Sequence, residues 1–131
     1  MLDISALRKD IEAVAARLRA RAQAASDGRK VLLVFGANWC GDCRVLDMSM
    51  KQGRLRPLID AKFVVVKVEV GRFDRNIDIA QRYGVPLKKG IPTAALLAAD
   101  GTAVFVTGGG ELASARSMGE GELVRFFERP F

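Results

Sequence analysis

Histidine is absent from this sequence, and its 131 residues include only two cysteines, one tryptophan, one tyrosine and four prolines. Each scarcity excludes something. Without histidine, the usual general base and the commonest metal ligand are missing, which removes serine-type triads and most zinc enzymes. Two cysteines cannot build a disulfide scaffold. Apolar runs such as Val31–Phe35 and Phe63–Val66 fall far short of the roughly 18 residues that suggest a membrane span, so no membrane partner is expected. Basic residues are not gathered in one place. Seven stand against four acidic ones through Lys30, six against four from Val31 to Val70, and eight against seven beyond. A nucleic-acid binder concentrates Lys and Arg among aromatics. The net charge of +6 therefore reads as a solvated surface, with no nucleic-acid partner.

What is present is ordinary for a globular chain: 50% hydrophobic and 27% charged residues. A chain of this length fits one domain and buries roughly two-thirds of its extended surface, enough for a real core. Ile4, Leu7, Ile11, Val14 and Leu18 recur at spacings of three and four. They predict an amphipathic helix within residues 1–30, packed on a domain of residues 31–131. Asp3, Asp10 and Glu12 argue against a transit peptide, and no apolar signal core follows Met1. A cytoplasmic location is expected on that ground, and a periplasmic one if a leader was removed.

Val31-Leu32-Leu33-Val34-Phe35 predicts a strand buried on both faces. A helix follows from Gly41 to Met50, in which Val45, Leu46, Met48 and Met50 are expected to pack. Gly53 and Pro57 interrupt the pattern before a second strand over Phe63–Val70. Ile77, Ile79, Ala80 and Tyr83 suggest a short helix ending at Gly84, and Pro86 to Gly90 reads as a loop. Thr93–Ala98 and Ala103–Thr107 flank Asp100-Gly101, a hairpin signal. Leu123, Val124, Phe126 and Phe127 form a last helix, stopped by Pro130. Strands separated by helices should be parallel and the last pair antiparallel, giving an α/β chain with a mixed central sheet and helices on both faces. Gly108-Gly109-Gly110 is not followed by Gly-Lys-Ser/Thr, so a flexible loop is expected there and no phosphate site.

Both cysteines sit in Trp39-Cys40-Gly41-Asp42-Cys43, where a strand ends and a helix begins. Thiols at i and i+3 across a helix start can close a small disulfide ring. The first sulfur lies at the positive helix end, where unpaired N–H groups stabilise a thiolate, and is expected to be the one open to solvent. The thiolate is the nucleophile of disulfide exchange, and the second thiol is placed to resolve the mixed disulfide. This chemistry needs no cofactor and no metal. A zinc site would need four ligands, so only a dimer sharing two pairs, or carboxylates such as Asp42 and Asp47, could complete one. Asp42, in the first turn, should compete with the thiolate for the positive helix end and make the couple more reducing, with Arg44 pulling the other way.

Trp-Cys-x-x-Cys after a strand, then Gly90-Ile91-Pro92-Thr93, then an Asp-Gly hairpin, resembles the thioredoxin superfamily. The stretches Gly36–Arg44, Val70–Asp74 and Gly109–Ala113 resemble most the bacterial thioredoxin-like proteins described as disulfide isomerases. The resemblance implies a thioredoxin-like fold preceded by the N-terminal helix, with Cys40 attacking and Cys43 resolving. It implies a cis bond at Pro92 facing the cysteines, pairing of Ile91 with an extended substrate, and Trp39 as an apolar platform. One position departs: thioredoxins carry a buried aspartate six residues before the first cysteine, where this chain has Val34. Lys67 matches the lysine near that aspartate, and Glu69 shares its strand face.

The reading that follows is a thiol–disulfide oxidoreductase of reductase or isomerase type. It would act as a monomer on protein or peptide disulfides or small thiols, with a thiol reductant or oxidant as partner. A different class, a binding module on this fold with structural or metal-bridging cysteines, would bind without turnover.

Overall fold

The structure is a computed structural model that describes residues 4–130, with side chains described from Ala16 onward. Among the described residues, five helices and four strands follow in the order α1 (Ile4–Asp27), β1 (Lys30–Gly36), α2 (Gly41–Met50), α3 (Leu55–Lys62), β2 (Phe63–Glu69), α4 (Ile77–Arg82), β3 (Thr93–Leu97), β4 (Ala103–Val106) and α5 (Glu120–Phe127). Two 3-10 turns, Leu87–Lys89 and Ala115–Ser117, complete the path. The sheet order is β2-β1-β3-β4. β1 pairs parallel with β2 and antiparallel with β3, and β3 pairs antiparallel with β4. The expected mixed sheet is present.

Successive strand side chains point to opposite faces, and β1 fills both. Val31, Leu33 and Phe35 join Ala20 and Ala24 of α1 with Ile79 and Ala80 of α4. Leu32 and Val34 join Leu46 and Met50 of α2, Leu55 and Ile59 of α3, and Phe126 and Phe127 of α5. Each fully buried Val, Leu, Ile, Phe or Met among them contributes about 1.5–3 kcal/mol, so β1 is the axle of the fold.

Several expectations change. Pro57 does not interrupt a helix; it lies in the first turn of α3, where backbone N–H groups have no intrahelical partner and a missing donor costs nothing. Leu18 is 55% exposed, and Arg17 is buried instead. The Arg17 guanidinium lies 5.7 Å from the centre of the Tyr83 ring, a cation–π contact that suits a desolvated cation. The side chains of Ile4, Leu7, Ile11 and Val14 lie outside those described. Arg21 fixes α1 to the β3–β4 turn, donating from Nη2 to the Asp100 carbonyl at 2.7 Å. Met48 is exposed rather than packed, whereas Met50 is buried.

Register places the functional end of the molecule. Phe35, near the end of β1, pairs with Thr93 at the start of β3. The turn after β1 and the residues before β3 therefore meet at one edge of the sheet.

Candidate active site

After Gly36 the chain turns tightly, with the Cys40 N–H donating to the Ala37 carbonyl at 3.1 Å. Cys40 is the N-cap of α2, its backbone extended at φ −83°, ψ 114°. Its Sγ takes the place of a capping oxygen and accepts the Cys43 N–H at 3.2 Å. A thiolate there meets both a donor and the positive helix end. Both cysteines are free thiols.

Burial of the two sulfurs differs from expectation. Cys40 is 6% exposed, and Cys43 is the more open, lining a cleft of about 160 Å³ with Val34, Asp47 and Lys67. Close packing of Cys40 under the preceding turn and against Ile91 closes it off, and its Sγ lies 3.6 Å from the Ile91 carbonyl oxygen. Desolvation, and then the hydrogen bond with Cys40, push the Cys43 thiol from 9.0 up to about 12. Cys43 keeps its proton through the neutral range.

The Ile91–Pro92 bond is cis, and both residues are buried. Behind them, the Thr107 hydroxyl accepts the Ala94 N–H at 2.9 Å and lies 2.7 Å from the Thr93 hydroxyl. Trp39 is 49% exposed. Its Nε1 donates to the Gly71 carbonyl at 2.8 Å, and its ring meets Phe73 edge-on at 6.1 Å. Phe73 is 46% exposed and holds φ at +65°, a left-handed conformation that a bulky side chain rarely adopts. From Phe73 a groove runs past Ile77, Pro86 and Leu87 to Gly90, one residue from Ile91.

Asp42 does not face the sulfurs as a free charge. Its Oδ1 accepts the backbone N–H of Arg116 at 2.8 Å and lies 3.4 Å from the Arg116 Nε. The 3-10 turn at Ala115–Ser117 thus supplies the carboxylate with a backbone donor and a countercharge. Arg44 is exposed beside the cleft. Lys67 finds its carboxylate on α2: Nζ contacts Asp47 Oδ1, while Lys51 meets Oδ2 at 3.0 Å. Burial raises the Asp47 carboxyl, but the bonds from Lys67 and Lys51 prevail and hold it below the usual range. Val34 leaves the β1 wall of this cleft apolar. Asp42 and Asp47 thus each meet a cation.

Three contributors escaped the sequence reading. Gly36 makes room for Cys43, since a Cβ there would sit 3.0 Å from its Sγ. In the sequence Asp47 suggests only a metal ligand, and nothing in the pattern links Arg116 to the cysteines. Gly110, read as part of a flexible loop, is packed: a Cβ there would meet the Lys89 carbonyl oxygen at 2.8 Å.

Comparison with known proteins agrees with this geometry. A family described as thioredoxin-like matches residues 12–99. A crystallised disulphide isomerase from Xylella fastidiosa Temecula1 is 43% identical, with a TM-score of 0.85 over 88% of each chain. A thioredoxin from Thermus thermophilus shares the fold at 24% identity and a TM-score of 0.59, over 84% of this chain and 79% of that one. Thioredoxin-1 of Drosophila yakuba is 33% identical over 73 residues, which is 56% of this chain and 61% of that relative's length. By its matched residues, its cysteine pair and its sheet, the chain belongs to the thioredoxin-like family.

Proposed function

We propose that this protein is a thiol–disulfide oxidoreductase that reduces or isomerises protein disulfides. The observation that carries this reading is the Cys43 N–H on the Cys40 Sγ at 3.2 Å, at the start of α2. The Cys40 thiolate attacks one sulfur of a substrate disulfide. A Cys40–substrate S–S bond forms, the substrate bond breaks, and the departing thiolate takes a proton from water. In reduction, Cys43 loses its proton toward the cleft and attacks Cys40 Sγ. The Cys40–Cys43 disulfide forms and the second substrate thiol leaves, so two electrons and two protons have passed to the substrate. In isomerisation, a second substrate thiol attacks first and the pair ends as it began.

Two observations favour a role for isomerisation. Burial, the largest cause of the raised Cys43 value, disfavours the Cys43 thiolate that internal resolution needs, which gives a substrate thiol time to compete. The similar Xylella protein is a disulphide isomerase. For docking, the cis Ile91–Pro92 segment offers backbone to an extended chain, and the Phe73–Gly90 groove offers room for an apolar side chain beside it.

Insulin reduction with dithiothreitol as donor tests the reading. The wild-type protein should accelerate precipitation, Cys40→Ser should abolish the acceleration, and Cys43→Ser should accumulate a mixed disulfide detectable by mass spectrometry. Wild-type turnover at background level would sink the proposal and leave a docking module.

A further inference from the structure

Between β4 and α5 the chain does not pass directly into the last helix. Residues 108–119 cross the face of the molecule that carries the cysteines. Leu112 and Ala115 are fully buried and anchor this strap. At one end it abuts the loop before Ile91: a Cβ on Gly90 would lie 3.0 Å from the Ala113 Cβ, and one on Gly110 would collide with the Lys89 carbonyl. At the other end it reaches the first turn of α2 through Arg116. The Arg116 backbone N–H binds Asp42, and its side chain, 66% exposed, brings Nε within 3.4 Å of the same oxygen. Its Nη1 is 3.1 Å from where a Gly41 Cβ would be, so the guanidinium lies over the residue that follows Cys40. Gly41 leaves the space it occupies.

We propose that Arg116 is a positioning residue that sets the redox poise of the Cys40–Cys43 pair, by neutralising Asp42 and holding a cation over the start of α2. This rests on the thiol–disulfide reading. Asp42 is a negative charge in the first turn of α2, two residues after Cys40; left alone it would disfavour a thiolate at the helix start and with it the reduced form. A guanidinium beside that carboxylate offsets part of its field and adds to the positive helix end. Among the described residues Arg44 and Lys67 line the cleft and Lys51 pairs with Asp47; Arg44 is exposed, and both lysines are engaged by Asp47. Arg116 is the cation the fold fixes against the first turn.

Equilibration with glutathione reads this directly. One oxidised glutathione accepts two electrons from the two thiols; the Cys40–Cys43 bond forms, the glutathione bond breaks, and two glutathione thiols result. In Arg116→Gln the strap's backbone bond to Asp42 is kept and only the cation is lost. The equilibrium should shift toward the protein disulfide by roughly threefold to tenfold, since a unit charge at this range is worth on the order of one kilocalorie in a partly screened site. Arg116→Lys should stay within about twofold of wild type, because it restores the charge. Asp42→Asn should shift the equilibrium the opposite way, toward the dithiol. A merely structural strap would lower stability without this pattern. An unchanged equilibrium in Arg116→Gln, or a shift in Arg116→Lys as large as in Gln, would overturn the proposal. If the wild-type protein itself formed no disulfide with glutathione, the thiol–disulfide reading would fall first, which separates the two failures.

Discussion

Gly36 and Cys43 are seven positions apart, and the absent side chain of the one defines the place of the other. A Cβ on Gly36 would stand 3.0 Å from Cys43 Sγ and 3.3 Å from Cys43 Cβ. The last residue of the central strand is thus shaped around the second thiol. Gly36 lies outside the left-handed region, so its role is space and not backbone freedom.

For Gly36→Ala we expect the Cys43 sulfur to be displaced by several tenths of an ångström, with an overpacking cost of about 1–3 kcal/mol. The first attack by Cys40 should keep its rate while resolution slows, so the mixed disulfide accumulates. Rapid acid quench with mass spectrometry separates the steps. Wild-type resolution in a variant of wild-type stability would show that the sulfur has other room.

The raised Cys43 thiol has a consequence for stability. The folded state holds its proton up to about pH 12, whereas a thiol in the unfolded chain ionises near 9.0. Below the unfolded value both states are protonated and the group contributes no slope. Above it the unfolded state gives up its proton first, so stability falls as pH rises. The difference in unfolding free energy between wild type and Cys43→Ser should be flat from pH 7 to about 9 and decline above. Urea unfolding under reducing conditions measures it; a difference that stays flat to pH 10.5 would refute the assignment.

Phe73 combines a left-handed backbone with a half-exposed ring set against Trp39. Holding a bulky residue there costs about 1–2 kcal/mol, and strain of this kind collects at working surfaces. Phe73→Gly should relieve the strain and leave stability equal to or above wild type, despite the lost ring contact. Exchange with a peptide disulfide should weaken severalfold, while exchange with a small disulfide such as oxidised glutathione stays near wild type. Paired steady-state assays on the two substrates decide the matter. Equal loss on both, or loss on neither, would remove Phe73 from peptide docking.

The order of elements lay open in the sequence because it rests on local patterns. An apolar β-branched run makes β1 wherever it is placed, Asp100-Gly101 turns a hairpin on its own, and Trp39-Cys40-Gly41-Asp42-Cys43 sits at a strand-to-helix junction by its neighbours alone. Resemblance extended this to the cis bond at Ile91–Pro92. Packing decided the rest. Apolar spacing put Leu18 inward, but α1 turns Ala20, Ala24 and Arg17 to the core, because small residues let the helix lie close to the sheet and Tyr83 offers the cation a ring. Pairing Asp42 with Arg116 spans 74 positions, and no periodicity relates residues so far apart. Which thiol is buried, which carboxylate faces which cation, and where Gly36 must be empty follow from the meeting of β1, α2 and the strap. Those meetings depend on the distances between surfaces that only the closed chain brings together.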